Sequence, residues 1–323
     1  MVTFIVRRTL WTVLVMFVIT VLVFFIFFKT PGVDPARALA GRNPSPKTIA
    51  EIRAMFGLNR PLPVQYGLMM DHLFIKRDLV SYSDQGELVV PEIGAAAPAT
   101  LSLVFGAAII WVVLAVVMGT AAALLRRTVL DPILMILALI GISMPVFWAG
   151  TVANLITQGG LHSTVLFSWV PPLGYTSFMT SPALWFKGLV IPWITLSILY
   201  IGLYARVLRA NVIEIQNEDY IRTARAKGLT ERRVVIRHVL RNSMITFVSL
   251  FGLDFGALVA GGALLTEVVF GIHGIGFLTW QALTSLDLPT IMATVVFGAF
   301  FIVLANAVVD VAYAWIDPRV RPT

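Results

Sequence analysis

A chain of 323 residues that is 58% hydrophobic and only 13% charged, with a mean hydropathy of +0.88, carries too little charge to cover a soluble surface and reads as an integral membrane protein. The absence of Cys excludes a disulfide framework and any thiolate metal site. The net charge of +7 is accounted for by basic residues at cytoplasmic helix ends, so nucleic acid is not an expected partner and the lipid bilayer is.

In chain order, Arg7 and Arg8 precede an unbroken apolar run, Thr9 to Phe28, of about the twenty residues that cross a bilayer. The run is longer than a signal-peptide core and no small-residue cleavage site follows, so residues 1–30 are expected to form a retained anchor with a cytoplasmic N-terminus. Residues 31–97 turn polar, with Pro44, Pro46, Pro61, Pro63 and Pro91 as breaks and a short helical pattern near Thr48 to Met55, which predicts an extracytoplasmic loop or small subdomain. Residues 98–323 read as a five-helix core. Its first span, Thr100 to Leu125, ends on Arg126 and Arg127, and the next, Asp131 to Thr157, contains Pro145 as a kink. The tight basic connection between them belongs on the cytoplasmic side, while Gln158 to Lys187 reads as an external loop. The fourth span, Gly188 to Ala205, leads into a polar interruption. The fifth, Met244 to Val269, carries Gly252, Gly256 and Ala260 at intervals of four, a stripe that lets helices approach closely. The following EVVFGIHGIGFL, Glu267 to Leu278, is too Gly-rich for a plain helix and is expected to re-enter or to line a cavity. A sixth span, Thr290 to Trp315, ends in IDPRVRP, whose Arg319 and Arg321 place the C-terminus inside.

The polar interruption, residues 206–242, holds nine of the 24 Lys and Arg. Asn217 reads as the cap of a helix whose first turn holds Glu218 and Asp219, and Glu218 stands four residues before Arg222 in the better ion-pair orientation. Gly228 sits where a left-handed C-terminal residue is needed, and Thr230 with Glu231 reads as a second cap, so a sharp elbow is predicted at Gly228 to Thr230. Ala224 and Gly228, four apart, strip one face of bulk, while Arg222, Arg225 and Lys227 ring it with positive charge. Such a face suits close docking of another protein; the plainer alternative is a solvated loop that obeys the positive-inside rule.

Thr223, Ala224 and Gly228, then His238, Leu240, Arg241 and Asn242, fall at the spacing of the EAA motif, and DYIRTARAKGLTERRVVIRHVLRN resembles its form in the dipeptide, oligopeptide and nickel branch of binding-protein-dependent ABC importer permeases. The motif's Glu position is Arg222 here, its Ile position His238 and its terminal Pro position Arg241. PGVDP, FGLNRPLPVQY, APATLSL, GIHGIG and DPRVR are also similar to that family, with an extra Val33 and with KRDLVSY at Lys76 to Tyr82 in place of a Gly-rich turn. The resemblance implies an all-α membrane fold of six transmembrane helices, the type I ABC importer permease fold. It also implies a coupling loop at Arg222, Thr223, Ala224, Arg225, Lys227, Gly228, Leu229 and Thr230, carried as a rigid lever by the ATPases. The partners would be a second homologous permease subunit, two cytoplasmic ATP-binding subunits and an extracytoplasmic substrate-binding protein.

No HExxH, GxSxG or GxxxxGK[ST] occurs, so neither metalloprotease, nucleophile-elbow nor phosphate-loop chemistry is expected of this chain. ATP and Mg are implied on partner subunits, with no cofactor and no metal held here. Ionisable residues inside spans are expensive and default to a pathway or a partner helix, which singles out Asp254, Glu267 and Asp310. Asp310 reads as a structural hydrogen bond. Gly252, Asp254, Gly256 and Glu267 are the candidate pathway or subunit seam, with a structural link between helices the even alternative at Asp254. An ion- or proton-coupled secondary transporter using Asp254 and Glu267 is the rival reading; it predicts internal repeats, and none is seen between the two halves.

Overall fold

The computed structural model describes residues 2–29, 36–37, 45–55, 57–81, 83 and 86–316. The calls on Pro31 to Pro35 and on Arg319 and Arg321 lie outside the described residues, as does the side chain of Asp310. Among the described residues the regular structure is helical, with only an isolated bridge between Val80 and Leu88. The helices are α1 (Val2–Lys29), α2 (Pro46–Met55), α3 (Leu62–Met70), α4 (Val89–Leu124), α5 (Leu130–Ser143), α6 (Val146–Gln158) and α7 (Pro182–Gln216). They continue with α8 (Asp219–Ala226), α9 (Glu231–Val234), α10 (Arg241–Ala257), α11 (Leu264–Phe270), α12 (Ile275–Ser285) and α13 (Leu288–Ile316).

Among the described residues, five stretches are long and apolar enough to cross a membrane: α1, α4, α7, Glu231–Gly262 and α13. A sixth crossing follows if α5 and α6, bent by 96°, count as one span. The bend falls at Pro145, where a kink is expected, because proline lacks the amide to continue a helix and pushes Met144 to an extended conformation (ψ 121°).

Helix ends differ from the sequence reading in instructive ways. α4 starts at Val89, so Val89 to Ala97 belong to the second span rather than to the loop before it. Pro91, read as a break, lies in the first turn of that helix, where amides have no intrahelical partner and proline costs little. α7 runs 35 residues instead of ending at Ala205. At 1.5 Å per residue that is roughly 52 Å against a hydrocarbon core of about 30 Å, so its C-terminal turns extend well beyond the bilayer. The fifth span breaks at Gly261 (φ 115°), and Leu264–Phe270 becomes a separate helix.

The core is the seam between α4 and α7, where Leu103, Trp111, Leu189, Tyr204 and Leu208 are buried. Trp193 of α7 lies across Gly106 of α4 and donates from Nε1 to the Ser102 carbonyl at 2.9 Å. α5 is tied to α7 by a bidentate ion pair: Arg209 donates from Nε and Nη2 to the two Asp131 carboxylate oxygens at 2.7 and 2.6 Å. At the end of the bundle opposite the elbow, Asp287 accepts hydrogen bonds from Ser81, Ser83 and Thr290 and so binds the segment before α4 to the start of α13. In the same segment His72 Nδ1 lies 2.6 Å from Asp78 Oδ1, and this bond holds the Asp78 carboxyl below its ordinary range.

Candidate functional site

The elbow is built at the overhanging end of α7. Asn217 does not cap the next helix; its side chain donates back to the Ile213 carbonyl at 2.9 Å and closes α7. The residue in the N-cap position of α8 is Glu218, extended (ψ 147°) and without a side-chain capping bond. The expected Glu218–Arg222 pair gives way to Arg222 donating to Asp219 at 3.3 Å, one residue closer. Thr223 donates to the Asp219 carbonyl at 3.0 Å.

α8 ends as the sequence predicts. Gly228 has φ +79°, its amide bonds to the Arg225 carbonyl at 2.9 Å, and Leu229 closes the turn on the Ala224 carbonyl. Thr230 stands at the N-cap of α9, extended but with no side-chain capping bond. The two limbs of the elbow are joined by Arg225, whose Nε lies 2.6 Å from Glu231 Oε1. A second tie runs from Asn242 at the start of α10 to the Tyr220 hydroxyl, 2.7 Å.

The faces of the elbow separate by chemistry. Ile221 (0% exposed), Ala224 (7%) and Val234 (0%) are buried in the main core, with Leu229 packed against it. Arg222, Thr223, Arg225, Ala226, Lys227, Gly228 and Thr230 are exposed. Ala224 therefore does not share an open docking face with Gly228: the small side chain lets α8 lie close to its own chain. The open surface is the positive rim and the tip at Gly228, around which a built Cβ meets nothing within 4 Å. This makes a stiff, basic projection, anchored by apolar side chains beneath.

The four residues read as pathway or seam do not form one site. Gly252 and Gly256 face α13 of the same chain: a Cβ on Gly256 would stand 3.0 Å from Ile302 Cα, and one on Gly252 would overlap Val309. The stripe is thus used for an internal helix crossing. Asp254 is half-buried on another side of α10 and accepts a 2.6 Å hydrogen bond from the Tyr204 hydroxyl of α7, beside Trp111, Tyr200 and Phe247. Glu267 is fully buried and accepts from Thr100 Oγ1 at 2.6 Å and from the Phe277 amide at 2.8 Å. Beyond these, an apolar groove of about 580 Å³ opens between α4, α10 and α13, lined by Phe105, Ile109, Phe251, Phe255, Phe301 and Leu304.

Sequence reasoning missed three ties, Arg209–Asp131, Arg225–Glu231 and Tyr204–Asp254. Each joins separate helices, so no helical spacing signals it; an unpaired Asp at the start of a span and an Arg inside another were the available hints for the first.

A bundle of apolar helices with a rigid basic elbow between two of its spans defines a multi-pass membrane component of a transport system. The chain belongs to the binding-protein-dependent transport system inner membrane component family: residues 112–322 match that family, and residues 1–104 match its N-terminal membrane component. It is thus an ABC importer permease subunit of the inner membrane with the type I permease fold. Among its relatives is the "Probable D,D-dipeptide transport system permease protein" of Escherichia coli, 36% identical over 332 residues that cover 98% of this chain and 97% of the relative. The glutathione transport system permease protein of Salmonella choleraesuis is 35% identical over 322 residues, 99% of each chain. The dipeptide transport system permease protein of Alkalihalophilus pseudofirmus is 32% identical over 335 residues, 98% of each.

Proposed function

We propose that this chain forms one half of the membrane pathway through which peptides or a related small solute enter the cell, driven by ATP hydrolysed in separate subunits. The observation that carries this reading is the elbow: a pair of short helices joined by the Gly228 turn and an ion pair, whose apolar side is sunk in the core and whose basic side stands clear. A movement imposed on such an element is transmitted to α7 and α10 rather than absorbed by it, because bending it would break the Arg225–Glu231 and Tyr220–Asn242 ties together.

In this reading Arg222, Thr223, Arg225, Lys227, Gly228 and Thr230 meet one of two ATP-binding subunits, with Ala224 and Leu229 holding the elbow to its own bundle. ATP and Mg act on those subunits; this chain binds neither and is not itself an enzyme. A second homologous permease subunit packs along the apolar groove lined by Phe105, Phe251 and Phe301, and an extracytoplasmic binding protein delivers the solute. Both termini and the elbow are cytoplasmic. The names of the relatives support peptides and glutathione as the solute class. A secondary transporter with ion sites at Asp254 and Glu267 is disfavoured, since both carboxylates are already engaged by hydrogen-bond donors of this chain.

Copurification of ATPase subunits with the tagged chain from detergent tests the reading, together with cysteine labelling. The chain has no Cys, so Gly228→Cys should resist a membrane-impermeant thiol reagent in intact cells while Ser83→Cys reacts. Labelling of both from outside, or a chain that transports a dipeptide without any ATPase, overturns it.

A further inference from the structure

At the end of the bundle opposite the elbow, α11 and α12 form a hairpin through the turn Gly271 to Gly274. The first amides of α12 have no intrahelical acceptor, and the turn offers no side chain to cap them. Their acceptors come from elsewhere. The Ile275 amide donates to Thr100 Oγ1 of α4 at 2.7 Å, and the Phe277 amide donates to Glu267 Oε2 of α11 at 2.8 Å. Thr100 in turn donates its hydroxyl proton to Glu267 Oε1 at 2.6 Å. One hydroxyl and one carboxylate, 167 residues apart, thus cap the helix together and join three helices at a point with no exposure at Glu267.

The glycines of GIHGIG follow from this arrangement. A Cβ on Gly276 would stand 2.7 Å from Leu264 Cα and 3.0 Å from Glu267 Oε2, and one on Gly274 would overlap both Thr100 Oγ1 and the Glu267 carboxylate. They admit the carboxylate to the amides, as glycine does where backbone must approach an acceptor closely. The seam continues apolar: Ile275 and Leu278 of α12 pack with Ala96 of α4.

We infer that Glu267 and Thr100 are positioning residues of a latch that makes the hairpin and the outer end of α4 one rigid body, which stays closed throughout transport. The physical reason is asymmetry of cost. Separating α12 from α4 takes the Thr100 hydroxyl from both the buried Glu267 carboxylate and the buried Ile275 amide at once, whereas sliding the latched unit against its neighbours breaks hydrogen bonds between uncharged groups, Trp193 to the Ser102 carbonyl and Asn154 to the Val269 carbonyl. Glu267 thus serves the pathway by holding one of its walls, not by meeting the solute. The inference rests on the reading of the chain as an ATP-driven importer.

The test uses the assembled transporter with its binding protein in liposomes, a labelled dipeptide as solute, and Leu278→Cys as reporter of the seam. In the otherwise unchanged chain, Leu278→Cys is expected to react equally slowly with an impermeant thiol reagent in the nucleotide-free and the ATP-trapped complex. Thr100→Val, which keeps size and removes the hydroxyl with both its bonds, should raise that reactivity by at least about tenfold, the lower end of what the lost bond to a charged group alone would give. It should also lower dipeptide imported per ATP hydrolysed, and Thr100→Ser should restore both; Glu267→Gln should fall between. A reactivity that rises on trapping with ATP overturns the rigid body, and it does so in a chain whose latch is intact. Unchanged reactivity in Thr100→Val overturns the latch. An unchanged chain in which the dipeptide does not stimulate ATP hydrolysis fails the importer reading itself, a result separable from either.

Discussion

The two ends of the bundle meet the same difficulty, short helices whose terminal amides and carbonyls lack partners, and meet it in opposite ways. At the elbow the fold uses residues close in sequence: a glycine at φ +79°, an exposed pair between Arg225 and Glu231, and an Asp219–Arg222 pair one turn long. At the far end it uses residues remote in sequence and buried, Thr100 with Glu267 at the start of α12, and Ser81 with Asp287 at the start of α13. Exposed local ties leave charge available to a partner. Enclosed remote ties leave nothing to read from outside, but they fix which helices move together. The elbow is accordingly the surface to be recognised, and the hairpin the part that must hold its shape.

The largest effect should come from breaking that division at its most exposed point. Gly228→Glu adds a side chain where the backbone is left-handed, and it puts negative charge on a basic tip. A Cβ at Gly228 meets nothing within 4 Å, so insertion and assembly with the second permease should survive while solute-stimulated ATP hydrolysis and uptake are lost. Normal stimulated hydrolysis in the purified mutant complex would remove the elbow from its assigned role.

Next in size is the ion pair that anchors the elbow's root. Arg209 and Asp131 bond through both guanidinium nitrogens and both carboxylate oxygens, with the Asp131 side chain only 11% exposed. Arg209→Met leaves that carboxylate without its partner, at a cost between the ~0.2–1 kcal/mol of an exposed pair and the ~3–5 kcal/mol of a buried one. The double variant Arg209→Met with Asp131→Leu should recover much of this, because removing both charges leaves no orphan. Thermal unfolding of the two in detergent distinguishes them; equal losses would mean the pair is not the reason.

A smaller effect is expected at Asp254, whose donor is the Tyr204 hydroxyl. Asp254→Asn retains an acceptor and should leave stability near that of the unchanged chain, whereas Asp254→Leu strands the hydroxyl at about 1–3 kcal/mol. Tyr204→Phe in the Leu background should restore the loss. Uptake changed by Asn with stability unaltered would instead assign Asp254 to the solute path.

What was legible in the sequence follows from the range of the interaction. Span count, the Pro145 break and the Gly228 elbow depend on residues within one or two turns of each other, and all three emerge in the structure. Helix ends were less legible, because α7 continues past Ala205 on a mixed stretch in which Arg206, Arg209 and Glu214 interrupt the apolar run while Leu208 and Val212 still pack in the core. The glycine stripe was only partly legible for a different reason: Gly252 and Gly256 announce close approach but not which helix approaches, and within this chain it is α13. Asp254 and Glu267 were visible as costly intramembrane carboxylates, yet their partners, Tyr204 and Thr100, are far along the chain and chemically ordinary.

The smallest effect tests whether the tie between the limbs of the elbow serves stability or stiffness. Arg225 and Glu231 are 39% and 64% exposed in their side chains, and a pair so open to water is worth about 0.2–1 kcal/mol. Arg225→Ala should therefore hardly change unfolding, and so should Glu231→Ala. What the pair does is hold α9 at one angle to α8, since the turn between them contains Gly228 and has no side-chain cap at Thr230 to fix it. Removing it lets the limbs flex, so part of any motion imposed on the tip is absorbed before it reaches α10. The expected outcome is an intact complex that hydrolyses ATP at its usual rate but imports less solute per ATP, most clearly in Glu231→Ala because Arg225 itself also faces the partner. Exchanging the two charges, Arg225→Glu with Glu231→Arg, rebuilds the tie and reverses the charge on the rim. Recovery of the import ratio by the exchange would favour stiffness; a ratio as low as that of Arg225→Glu alone would mean that Arg225 acts through its contact with the ATP-binding subunit and that the bond to Glu231 is incidental.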